Sequence, residues 1–348
     1  MLQRLAALVV AVALTAAGST VADARPVASS VAETAGIECS PIGSGRFDYP
    51  GPAASQVYDD RFVLGHRLPE AFLQRFVPQG LATWSDWGGR DRDLILVTGY
   101  NDRRRASGLV GLVPGGGRTR IVELPKPRRA KGRYAKVHVG GAAVVKGHLF
   151  VQGPRRNGHA TVQRFSLATL RHRLKTGGTL RPKATYTLRA GSSAYLAVYR
   201  DTLYSGSFSV SHRARVRRYR VAGSGRISPF GKPLVAPPRT QGLVVTASSY
   251  IFSTSLGRNK RSRIYVMARS ETSLDHAYAH DRLSCFPAPS MSEGMTRTNG
   301  RLYVVFESGG FRYDGVPCRR PKPAPGCTLN IIDNLHLAAL SDVTALVR

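Results

Sequence analysis

Ser292-Glu293-Gly294-Met295-Thr296, followed shortly by Leu302-Tyr303-Val304-Val305-Phe306, is one of five versions of a single pattern. In each version a short apolar run opens just after a small or polar residue, and a second apolar run follows it. The other openings are Gln79-Gly80-Leu81-Ala82, Gly140-Gly141-Ala142-Ala143, Ala194-Tyr195-Leu196-Ala197 and Gln241-Gly242-Leu243-Val244; their partner runs are residues 94–97, 149–151, 203–204 and 250–252. Measured at the second position, the openings stand 61, 54, 47 and 52 residues apart. A period near fifty residues filled with short strands is the signature of propeller blades, each of four antiparallel strands with the innermost first. The expected fold class is therefore all-β.

The strands follow from this frame. Blade one takes residues 80–83, 94–98, 109–113 and 120–124; blade two takes 142–145, 148–152, 161–166 and 185–188. Blades three and four repeat the plan, with runs at 215–221 and 263–267. The fifth blade has Asn334-Leu335-His336-Leu337-Ala338-Ala339-Leu340 as its third strand, and little β-like sequence remains after Asp342. Phe62-Val63-Leu64-Gly65-His66-Arg67-Leu68-Pro69 leads into Gln79-Gly80 much as Ile121-Val122-Glu123-Leu124-Pro125 leads into Gly140-Gly141. An N-terminal strand added to the C-terminal blade would seal the ring and remove an exposed sheet edge. This favours five blades; an irregular sixth blade from Cys39 to Pro69 is the alternative. Helical periodicity is scarce after the first residues.

Arg4, an apolar stretch from Leu5 to about Ala17, and Ala22-Asp23-Ala24 before Arg25 read as an export signal over residues 1–24. The stretch is shorter than the roughly 20 residues of a membrane span, so no span is expected in the mature chain. Residues 25–38 are small and polar and read as a disordered spacer, leaving 39–348 as one domain. A secreted, extracytoplasmic protein is expected. All four cysteines, Cys39, Cys285, Cys318 and Cys327, fall in the exported part, where disulfides form. Of three pairings, Cys318 with Cys327 closes a Pro-rich loop and Cys39 with Cys285 ties down the N-terminal arm. The close cysteine pair of a zinc site is missing.

Lys plus Arg number 51 against 21 Asp plus Glu, a formal net charge of +30. Such an excess draws polyanions and makes their binding salt-sensitive, while saying nothing of fold. An arginine-rich genome would produce the same excess without a ligand. The loop after each second strand is cationic: Arg103-Arg104-Arg105, Arg155-Arg156, His212-Arg213, Arg258 with Lys260-Arg261, and Arg319-Arg320 with Lys322. Guanidinium groups such as Arg103, Arg213 and Arg261 on one face suit phosphate, sulfate or carboxylate polymers. The opposite face is basic as well, through Arg118, Arg120, Arg171, Arg173 and Lys175. Tyr100, Phe208, Phe311 and Tyr313 lie near the cationic loops, where aromatics can stack on sugars or bases.

Inner-strand heads and the loops after second strands open on one face. That places Gln79, His138, Ser193, Gln241 and Glu293 around a channel mouth, with Asn101, Asp102, Asn157, Ser207, Asn259, Glu307 and Asp314 in the outer loops. Glu293 is the one carboxylate at an inner-strand head and so the candidate general base or cation ligand; capping backbone NH groups is the plain alternative. Asp102, Glu307 or Asp314 would have to complete a carboxylate pair. With one inner carboxylate and mostly amides, the pattern argues against a glycosidase, which needs two opposed carboxylates. No Gly-x-Ser-x-Gly elbow, phosphate-binding Gly-rich loop or His-Glu-x-x-His occurs, and the histidines are scattered.

Pro78-Gln79-Gly80-Leu81-Ala82, His138-Val139-Gly140-Gly141 and Ser292-Glu293-Gly294-Met295 resemble an uncharacterised family of exported bacterial β-propeller proteins. More distantly, Glu293-Gly294 is similar to the metal-binding Glu of gluconolactonase and strictosidine-synthase-type propellers, which have six blades. That resemblance implies calcium and a lactonase or esterase-type hydrolase with Glu293 as base or ligand; Gln79, Ala194 and Gln241 depart from its Asn and Asp ligands. No cofactor is expected otherwise. The leading expectation is a binding protein for an anionic polymer or cell-envelope component, taken up on the channel-mouth face.

Overall fold

The computed structural model describes residues 37–43, 53–90, 92–101, 106–125, 138–188, 191–313 and 330–347. Five antiparallel sheets surround a central axis. Strand β1 (Phe62–Arg67) comes first in the chain but belongs to the last blade. Blade I holds β2 (Val77–Trp84), β3 (Leu94–Asn101), β4 (Ala106–Leu112) and β5 (Val122–Leu124). Blade II begins with β6 (Ala142–Val145), β7 (His148–Arg156) and β8 (His159–Ser166). The chain then makes a helix (Leu167–Thr176), pairs β9 (Gly178–Thr179) in parallel with β5 of blade I, and returns as β10 (Ala184–Leu188), the outer strand of blade II. Blade III is β11 (Tyr195–Tyr199), β12 (Thr202–Gly206), β13 (Ala214–Val221) and β14 (Ile227–Ala236). Blade IV is β15 (Thr240–Val245), β16 (Ser249–Thr254), β17 (Ser262–Ala268) and β18 (Leu283–Ala288). Blade V is β19 (Ser292–Thr298), β20 (Arg301–Phe306) and β21 (Asn334–Ala339), with β1 outermost.

Closure follows the expected route. Phe62 pairs with Ala338 and Arg67 with Asn334, so an N-terminal strand seals the C-terminal blade. Among the described residues no sixth blade forms, because the segment that would have built it is spent on this seal. Tyr58 stacks on Phe62 at 4.2 Å, and both pack with Phe286, Val343 and Val347 between blades IV and V. Residues 54–62 and 343–347 thus meet at one interface.

The continuous apolar runs have a simple cause. Each blade is covered on both faces, so successive residues of a strand serve different interfaces. Leu94 and Leu96 pack towards blade II, whereas Ile95 and Val97 pack towards blade V. Tyr250 and Phe252 face blade III, and Ile251 faces blade V. The core is accordingly five clusters, one per blade–blade interface.

The glycines of the repeat mark where inner strands crowd the axis. A Cβ on Gly294 would lie 2.6 Å from Gln79 O and Leu81 N, and one on Gly242 would lie 2.5 Å from Glu293 O. Gly80 abuts Gly140 O in the same way. Blade III puts Tyr195 there instead, its ring laid over Gly206, where no side chain could fit.

Cys39 is disulfide-bonded to Cys285 on β18, which pins the N-terminal arm to blade IV. Cys318 and Cys327 lie outside the described residues, as do the export signal, the spacer up to residue 36, Asp102, Arg103 to Arg105, Asp314, Arg319, Arg320 and Lys322. Among the described residues no helix is long and apolar enough to cross a membrane.

Candidate binding site

Three of the expected mouth residues are presented by the same device. In β2, Gln79 and Gly80 together oppose one residue of β3; in β15, Gln241 is an extra residue between the pairs Thr240–Thr254 and Gly242–Ser253; in β19, Glu293 and Gly294 oppose one residue of β20. These are β-bulges, which re-aim a side chain out of the normal alternation. Regular alternation would send these side chains into a blade interface. The bulges also explain why β2 begins at Val77, before the expected Gly80: pairing continues through the irregularity to Tyr100.

Glu293 is buried, and its Oε1 accepts a hydrogen bond from Gln241 Nε2 at 3.1 Å. Burial, reinforced by the neighbouring Glu307 carboxylate, raises Glu293 well above the usual carboxylate range; the Gln241 hydrogen bond opposes this weakly. Burial and the Glu307 carboxylate thus both favour the protonated form of Glu293, the form that donates a proton. Glu307 follows β20, its backbone NH bonded to Met291 O at 3.0 Å, so the hairpin itself brings it beside Glu293. Its Oε1 accepts from Tyr100 OH at 2.9 Å, and Arg312 Nη1 donates to the same hydroxyl at 3.0 Å. Burial and then Glu307 push the Tyr100 phenol up, and Tyr313 responds to the same two causes. His138, exposed, stacks on the Tyr100 ring at 4.6 Å. The mouth is thus a carboxyl pair with an amide, two phenols, one guanidinium and an imidazole.

Other expected contact residues also hydrogen-bond within the protein. Gln79 Nε2 donates to Pro78 O at 2.9 Å, Ser193 Oγ to Thr161 O at 2.9 Å, and Asn101 Nδ2 to Arg75 O at 2.6 Å. Arg213 forms a two-pronged ion pair with Asp275 of blade IV, with Nη1 to Oδ2 at 2.6 Å. Arg261 Nε donates to Ala53 O at 3.0 Å. Among the described residues no group of three or more His, Cys, Asp or Glu side chains could hold a metal ion.

Beside the axis, on the same face, a groove of about 770 Å³ runs between blades III and IV and the disulfide-tethered arm. Its charged lining residues are Arg239, Lys260, Arg261 and Arg263, with no carboxylate, and Ile42 and Val210 are exposed along it. Sequence reading located Arg261 here but missed Arg239 and Arg263, which stand at strand ends and not within the cationic loops. On the opposite face the axis opens as a second cavity of about 270 Å³, bounded by all five inner strands below the glycine constriction.

No protein-family model and no curated protein matches the chain. Among solved structures, it is similar to a GH43_1 enzyme from Xanthomonas citri, with 14% identity, 79% of this chain and 90% of that chain covered, and a TM-score of 0.39. It is also similar to the β-propeller domain of the Trilobed protease from Pyrococcus furiosus, which has an open velcro topology, with 7% identity, 68% and 78% coverage and a TM-score of 0.27. Hydrazine synthase of Kuenenia stuttgartiensis follows at 10% identity, 76% and 89% coverage and a TM-score of 0.31. Likeness this slight says nothing of activity or ligand.

Proposed function

We propose that this chain is an extracytoplasmic binding propeller that takes an anionic polymer on the face where its inner strands begin. The observation that carries this reading is the groove between blades III and IV, in which every charged lining residue is cationic. Arg239 and Arg261 are each held by one guanidinium N–H on a backbone carbonyl, which fixes their position without neutralising them. Lys260 and Arg263 are exposed beside them. The apolar stretch from Ile42 to Val210 suits the carbon skeleton of a sugar or lipid-like repeat. The Cys39–Cys285 bridge supports export to an oxidising compartment.

The test is binding of a defined heparin oligosaccharide. Lys260→Glu with Arg263→Glu is expected to weaken it at least tenfold and to flatten its salt dependence, while Arg118→Glu with Arg120→Glu on the other face leaves it alone. Equal weakening by both pairs would mean that net charge, not a site, does the binding.

The carboxyl pair favours a second reading, a hydrolase in which Glu293 donates the proton and Glu307 acts as base. Ester, lactone and glycoside hydrolysis lost in both Glu293→Gln and Glu307→Gln would support it; dependence on added calcium would point instead to a metal-held Glu293.

A further inference from the structure

The second mouth of the axis gathers three guanidinium groups on one ring. Tyr199 ends β11 of blade III at the rim of the lower cavity, whose wall includes the neighbouring Val198. Arg269 Cζ lies 4.1 Å from its centroid, Arg200 Cζ 5.4 Å and Arg297 Cζ 5.9 Å. Arg200 belongs to blade III, Arg269 follows the third strand of blade IV, and Arg297 reaches from the inner strand of blade V, where it also lines the cavity. Three separate blades therefore deliver one cation each to the surround of one aromatic ring.

None of the three is ion-paired among the described residues. Asp201, next to Arg200, is bound to Lys146 at 2.8 Å. Asp93, the one carboxylate lining the cavity, accepts from Thr298 Oγ1 and from the Asp86 backbone NH. Arg269 Nη1 donates to Thr246 O at 2.9 Å, which orients it and leaves its charge intact. Attraction to the ring face offsets part of the mutual repulsion, but a ring holds one such cation well and three only against each other.

We propose that this mouth binds a small molecule carrying an oxyanion, phosphate or carboxylate, with the anionic group among Arg200, Arg269 and Arg297. The uncharged remainder enters the cavity of about 270 Å³, which is lined by small side chains such as Ala82, Ala143 and Ala197. Planar guanidinium forks recognise such oxyanions in pairs. The site is on the face opposite the polymer groove and is independent of it.

Calorimetric titration of the mature, oxidised protein with inorganic phosphate, glycerol 3-phosphate, propionate and glycerol tests this. Glycerol 3-phosphate or propionate is expected to bind at least tenfold tighter than glycerol, the stronger of the two telling phosphate from carboxylate. If inorganic phosphate matches glycerol 3-phosphate, the cavity adds nothing and the proposal reduces to a bare charge cluster, which overturns it. Arg269→Gln and Arg297→Gln should each weaken binding at least tenfold, leave heparin binding unchanged, and leave the unliganded melting temperature unchanged or higher because repulsion is relieved. Arg variants that melt lower and bind these probes as well as the parent would show that the stack is only structural. Lys260→Glu should leave phosphate binding intact, so the two sites fail or stand separately.

Discussion

Replacing Gly294 with alanine probes the packing on which the whole ring depends. The added Cβ would stand 2.6 Å from Gln79 O, 2.6 Å from Leu81 N and 2.7 Å from Gly80 Cα. Ordinary contact begins near 3.5 Å, so blade I would have to retreat by about 0.9 Å. All three atoms are backbone, and none can rotate away. Overpacking of a well-filled site costs about 1–3 kcal/mol, and the rigidity here puts the expected loss at the upper end, about 3 kcal/mol. The gain from a stiffer unfolded chain, about 0.4–1 kcal/mol, returns only a fraction. For a chain of this size each kcal/mol moves the melting temperature by about 2 °C, so the net loss of about 2–2.6 kcal/mol gives a drop of about 4–5 °C. Gly223 is the control, since a Cβ there meets nothing within 4 Å, and Gly223→Ala should melt at or slightly above the parent. Thermal denaturation by circular dichroism on matched samples reads both. If Gly294→Ala melts with Gly223→Ala, the glycines are not the contact points of the inner ring.

Three further outcomes follow from buried groups and the covalent tie. Glu293 keeps its proton in the folded chain above the pH at which the unfolded chain loses it, so stability falls as pH rises above that unfolded value, by up to about 1.4 kcal/mol per pH unit; Glu293→Gln should remove this slope, and parallel melting curves would refute the buried-acid assignment. His336, buried with Nδ1 2.7 Å from Tyr58 OH, is pulled down to about 3 by burial. Its contribution is whole above the unfolded value near 6.5 and is lost as pH falls from there towards 3; NMR should find the imidazole still neutral at pH 5, whereas a normal titration would contradict the assignment. The Cys39–Cys285 bridge spans 246 residues, for which loop-closure entropy gives an upper value of about 5 kcal/mol; Cys39→Ser with Cys285→Ser should melt well below the parent and be indifferent to dithiothreitol, unlike the parent.

The repeat was legible because one physical constraint, burial on both blade faces, writes a short continuous apolar run, such as Leu94-Ile95-Leu96-Val97, into every second strand. The N-terminal seal was legible because the fifth blade lacked an outer strand while residues 62–69 lead into Gln79-Gly80 as 121–125 lead into Gly140-Gly141, and the Cys39–Cys285 pairing was one of three arrangements open to the sequence. The helix Leu167–Thr176 was not foreseen: only Leu170 and Leu174 are buried, a pair too sparse to stand out as amphipathic. Its Arg171 donates to Trp87 O at 2.5 Å and lies over that indole, so one member of the supposed basic face is packing. Glu307 could have been placed beside Glu293, since a hairpin pairing Ser292 with Phe306 sets the next residue against the strand head. The union of Arg213 with Asp275 across two blades had no local signal, and neither did the meeting of Arg200, Arg269 and Arg297.

Side chains of a regular inner strand point into the two flanking interfaces, not at the axis, so chemistry can reach the axis only where that alternation breaks. It breaks twice. At the upper end the bulges at Gln79, Gln241 and Glu293 turn side chains inward; at the lower end the inner strands finish, with Tyr199 the last residue of β11 and Arg297 the last but one of β19. Between them Gly80, Gly242 and Gly294 bring the backbones into contact. The upper mouth centres on carboxyl groups and the lower on guanidinium groups, so a small anion on the axis is disfavoured at one and drawn to the other. A ligand at either mouth can influence the other only by moving the glycine ring. For this reason substitutions at Glu293 should leave small-anion binding untouched, while Gly294→Ala, which loosens that ring, should disturb both mouths at once.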